Sequence, residues 1–132
     1  LFRGKRVDNG EWVEGLIARI GEMGISNIVE KQFDILVPVK TETVGQYTGL
    51  TDRNGKKIFE GDIVEFDREI RAHKAQRVKG VAFWEQEICA CSVSDELKFR
   101  SLPAMLCDLK NTEVIGNIFD NSELLEDKND RI

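Results

Sequence analysis

His73 is the only histidine of this 132-residue chain, and Cys89, Cys91 and Cys107 are its only cysteines. By type these four could complete a Cys3His zinc site. Their spacing favours a plainer role. Cys89 and Cys91 stand two apart on a predicted strand, so both thiols point to one face, where a small apolar side chain packs well. Cys-x-Cys is also not the usual zinc knuckle. His73 sits in a charged stretch with no fixed neighbour, so an acid–base pair or activated nucleophile has one poorly placed candidate. A solvated loop residue is the expectation there. Among the carboxylates, Asp62 is expected to cap the turn after Gly61, and Glu65 to decorate a strand. The sequence contains no Walker loop, GxGxxG, HExxH or GxSxG pattern. The expectation is a non-enzymatic chain with no catalytic residue, no metal and no cofactor.

Two sets of residues could bind rather than react. Arg68, Arg71, Lys74, Arg77 and Lys79 recur for part of their length at about helical spacing, against only Asp67 and Glu69 in the same stretch. Such a row could lay cations along a phosphate backbone. The alternative is a mobile, solvated excursion between two strands, since the stretch has no aromatic on which a base could stack. Tyr47, Trp84 and Phe119 are the candidate exposed aromatics for docking a protein partner or a second copy of the chain. Core packing is the competing role for each.

These residues must be positioned by strands. Gly45 to Phe66, GQYTGLTDRNGKKIFEGDIVEF, carries the densest local instructions. Asp52-Arg53-Asn54-Gly55 tolerates the positive φ of a tight hairpin turn, Lys56 to Phe59 returns as a strand, and Gly61-Asp62 bends the chain again. Ile63 to Phe66 restarts a strand with Val64 and Phe66 on one face. Upstream, Asn9-Gly10 between β-prone runs predicts a hairpin over residues 2 to 18, with Trp12 packing across from the first strand. Arg19 to Lys31 has no decisive pattern. Phe33 to Val39 reads as a strand whose edge position or end tolerates Pro38. Downstream, Val78 to Trp84 and Ile88 to Val93 form a third predicted hairpin, Leu102 to Leu106 a short helix with Pro103 in its first turn, and Val114 to Phe119 a final strand. A last helical turn starts near Asn121.

The net charge of -5, from 19 basic and 24 acidic side chains, disfavours general attraction to polyphosphate, so a nucleic-acid role requires a local patch. No apolar run approaches the roughly 18 residues of a membrane span, and the first residues lack the apolar core of a signal peptide. With an odd cysteine count that suits a reducing compartment, a cytoplasmic location is expected.

FRGKRVDNGEWVEG near the start, VGQYTGLTDRNGKKIFEGDIV in the middle and VIGNIFDNSELLED near the end together resemble the YopX family of phage and prophage proteins. The middle motif, with Tyr47, Thr48, Gly49, Leu50, Asp52, Asn54, Gly55, Ile58, Glu60, Gly61 and Asp62, is the closest match. Residues 67–79 and 89–101 follow no family pattern. The resemblance implies a mainly β protein with an N-terminal β subdomain, a C-terminal SH3-like barrel and a mobile-element setting, and it implies no catalytic residues. The expected division is 1–44 for the β subdomain, 45–125 for the SH3-like barrel with one or two short helical turns, and 126–132 for a frayed tail.

Overall fold

The computed structural model describes residues 1–71, 74–85, 90–95, 104–105 and 110–125, with side chains described for 1–67, 77–83 and 110–125. The chain is mainly β, in antiparallel sheets, with no helix beyond short 3-10 turns among the described residues. It divides into two compact units, Leu1–Tyr47 and Thr48–Ile132.

In the first unit, β1 (Phe2–Lys5) pairs with β2 (Trp12–Arg19), placing Lys5 opposite Trp12 and Phe2 opposite Gly15. The expected Asn-Gly reversal forms, with Gly10 at φ 76° and the Asn9 side chain accepting the Glu11 N–H. The undecided stretch after Arg19 becomes β3 (Ile25–Glu30), which pairs with β2 through a bulge between Ile17 and Arg19. Its buried Ser26 is satisfied locally, by the Gly21 N–H and the Thr41 hydroxyl.

β4 (Leu36–Lys40) follows and is shorter than the sequence suggested. Phe33 to Ile35 belong to a turn: the Glu30 carboxylate accepts the N–H groups of Gln32 and Phe33, and Asp34 takes a left-handed φ of 58°. Pro38 lies on this outermost strand, as its missing N–H requires, and its carbonyl accepts the Val7 N–H. Ile28, Val37 and Val39 form the core of the unit, with Phe2, Val13, Ile17 and Val44 packed against them. The opening residues of β5 (Gly45–Thr51) pair with β1.

In the second unit, the end of β5 leads through the Asp52–Gly55 turn into β6 (Lys57–Phe59), with Gly55 at φ 83°. A five-stranded sheet follows, in the order β10-β9-β8-β7-β11, from β7 (Asp62–Arg71), β8 (Lys74–Glu85), β9 (Ala90–Asp95), β10 (Ala104–Met105) and β11 (Lys110–Asn117). Ile58, Val64, Phe66, Val78 and Ala82 make its core.

Three expectations change here. The basic stretch is no excursion or helix: Asp67 pairs with Arg77 and Arg71 with Lys74 across the β7–β8 hairpin. The helix expected near Leu102 gives way to β10, where Ala104 pairs with Val93 and Met105 with Ser92, because cross-strand pairing outweighs a local proline signal. The described strands form sheets without closing into a barrel. The final helical turn is 3-10, over Ser122–Leu125, and the expected tail 126–132 lies outside the described residues.

Candidate interaction surface

The first unit carries an outward row that period-two alternation creates. Ile17, Ile28 and Val37 are neighbours across β2, β3 and β4 and face the core. One residue along, Leu16, Val29 and Leu36 are neighbours on the opposite face. Leu16 is 67% exposed and Leu36 61%. Phe33, 67% exposed, stands on the turn that leads into β4.

That turn is fixed by its backbone. Besides the two bonds to the Glu30 carboxylate, Asp34 N–H donates to the Glu30 carbonyl, Glu30 N–H to the Ile35 carbonyl and Lys31 N–H to the Glu14 carbonyl. Between Leu1, Gly15, Leu16 and Val29 on one side and Glu30, Lys31 and Asp34 at the turn on the other lies a cavity of about 290 Å³. Apolar walls and a charged rim of both signs suit an aliphatic or aromatic side chain better than a polar substrate.

Further along the same face, Arg3 lies 4.6 Å and Lys5 5.7 Å from the centre of the Trp12 ring. Trp12 therefore pairs across from β1 as expected, but it carries cations instead of joining the core cluster.

The three aromatics singled out from sequence each have their own surroundings. Tyr47 is half-buried, the Trp84 side chain lies outside the described residues, and Phe119 is 37% exposed beside Gly61. Sequence reasoning missed the Leu16–Val29–Leu36 row because β3 had no decisive pattern. Without β3 there was no register to bring Leu16 and Leu36 to one face.

Of the basic residues, Arg77 and Lys79 are engaged within the second unit. The Arg77 guanidinium donates to the Asn111 carbonyl at 2.6 Å, Asp67 at 3.1 Å and Glu65 at 3.3 Å, and lies 3.7 Å from Glu113. Arg53 binds Glu113 at 2.7 Å, and the Asn111 amide binds Asp67 at 2.6 Å. Asp67 titrates below the usual carboxyl value, chiefly through the Asn111 hydrogen bond and then that of Arg77. Lys79 donates to the Leu124 carbonyl at 2.6 Å. The side chains of Arg68, Arg71 and Lys74 lie outside the described residues, although their backbones are in the hairpin.

Asp62 is buried, and its carboxylate reaches back to accept the Phe59 N–H at 2.8 Å, closing the turn around Gly61. Glu65 belongs to the Arg77 network. His73, Cys89 and Cys107 lie outside the described residues, as does the side chain of Cys91 on β9. No group of three His, Cys, Asp or Glu side chains could hold a metal ion, and no helix is long and apolar enough to cross a membrane, among the described residues.

No curated protein matches the chain. The family model described as YopX protein matches residues 1–126, almost the full sequence, covering the first two motifs singled out above and all but the last residue of the third. The chain therefore belongs to the YopX family.

Proposed function

We propose that this is a non-enzymatic accessory protein of phage or prophage origin, working in the bacterial cytoplasm, whose first unit presents a preformed face to a protein partner. One observation carries the proposal: Leu16, Val29 and Leu36 align across three paired strands and leave two large aliphatic side chains mostly in water. A scattered exposed leucine needs no explanation, whereas an aligned row beside a cavity and an exposed Phe33 is what a docking surface requires. The Glu30-capped turn supports the same conclusion, because a rigid display of Phe33 loses little entropy on binding. Open SH3-like packing of the second unit is part of this proposal. Its support is the Asp52–Gly55 turn running beside β11, where Arg53 N–H donates to the Thr112 carbonyl, and the Gly61 N–H bond to the Ala82 carbonyl of β8.

Leu36→Glu tests the face, since it sits on solvent and should change stability by only about 0.5 kcal/mol. Immobilised wild-type and variant proteins are compared for capture from phage-infected cells, with thermal unfolding as the control on folding. Loss of the captured species in the variant supports the proposal. Equal capture by both proteins removes this face from it.

A further inference from the structure

We infer that the partner at this face is a second copy of the same chain, joined about a two-fold axis with Phe33 of each copy seated in the cavity of the other. This deepens the proposed function and rests on the same face. A two-fold interface needs one patch carrying both halves of every complementary feature. The knob and the hole are adjacent here: Phe33 is 67% exposed on the turn whose neighbouring residues line the cavity of about 290 Å³. An apolar cavity of about 150 Å³ accepts benzene, so this one has room for a phenyl ring.

Charge complementarity points to the same occupant. The rim carries Lys31 beside Glu30 and Asp34, and Lys31 and Asp34 are both exposed and take no part in the ion pairs of the described residues. A two-fold axis through the patch would bring Lys31 of each copy to the acidic side of the other. A strongly basic or acidic partner gains nothing from such a mixed rim, but an identical one does. The Leu16–Val29–Leu36 row then supplies the apolar centre that an interface of this kind needs.

Sedimentation equilibrium of the full chain over a range of concentrations tests the inference, with Phe33→Ala and Leu16→Glu as variants. Both positions are exposed, so both variants should keep the wild-type unfolding transition. The expected result is a reversible wild-type dimer whose dissociation constant rises at least tenfold in each variant. A wild-type protein that stays monomeric overturns the inference. So does a dimer that neither substitution weakens, since it must use another face. A monomer that still captures another protein in a Leu36-dependent way sinks the self-pairing alone. A monomer with no such capture removes the proposed function as well.

Discussion

Asp52 is 6% exposed, and its carboxylate is the acceptor for three backbone N–H groups: Asn54 at 2.8 Å and Lys56 at 2.9 Å on one oxygen, Val114 at 2.9 Å on the other. Burial alone would raise its pKa, but the hydrogen bonds from Val114, Lys56 and Asn54 outweigh that and hold it below the ordinary value. The folded carboxyl is thus harder to protonate than the unfolded one. Its contribution is complete above the unfolded pKa and is lost as pH falls through the folded value. Asp67 is shifted the same way, so urea midpoints should fall on acidification, and Asp52→Asn should flatten that fall. Asp52→Ala leaves three backbone donors without their acceptor and should cost about 2 kcal/mol at neutral pH, read from the same urea titrations. The local half of this arrangement was legible in Asp52-Arg53-Asn54-Gly55, a turn by composition. The bond to Val114 was not, because a partner 62 positions along the chain leaves no local signal.

At the scale of elements, the β7–β8 hairpin shows how a correct period can be mistaken for another. Cations at 68, 71, 74 and 77 imitate helical spacing, yet pairing in twos puts Glu65 and Asp67 beside Arg77 and Lys79. Opposite charges placed across strands stabilise the pairing, and the Asn111 carbonyl fixes the guanidinium. Arg77→Met keeps the aliphatic stem but leaves Glu65, Asp67 and Glu113 facing one another. It should cost about 1 to 2 kcal/mol in urea, with the loss growing smaller as salt screens the repulsion. β2 and β3 offer a sharper test. A methyl group at Gly15 would lie 1.9 Å from the Val29 carbonyl oxygen, a backbone atom that cannot step aside without opening the ladder. Gly15→Ala should therefore cost about 3 kcal/mol, and amide exchange should show it first in β3. The Asn9-Gly10 and Asn54-Gly55 turns, each with Gly at positive φ, were readable from sequence, whereas the start of β4 was not. Asp34 falls inside the strand expected over Phe33 to Val39, but its left-handed backbone places it in the turn that precedes β4.

Across the whole molecule, eight of the nine large apolar side chains that are exposed among the described residues lie between Val7 and Leu36. The only other is Phe119. Among the described residues the water-facing apolar area thus lies mostly in the first unit, while Arg77 and Lys79 of the second unit are engaged in internal bonds. Together with the net charge of -5, this predicts weak affinity for polyanions. Anisotropy titrations against labelled duplex DNA, single-stranded DNA and RNA at low salt should show no saturable binding. Saturable binding that disappears when Arg68, Arg71 and Lys74 are neutralised would instead make those three the working cations.

The Val7 bond to Pro38 has a further consequence for how the protein behaves when crowded. An exposed border strand is a template on which other chains can stack into fibrils. Here the prolyl ring offers no donor, the carbonyl is already taken, and Arg6 forms a bridge with Val39. Stacking along that border is refused, so concentrated solutions should yield discrete pairs in preference to amyloid. A Pro38→Val substitution, which restores the donor, is the change expected to hasten thioflavin-positive growth.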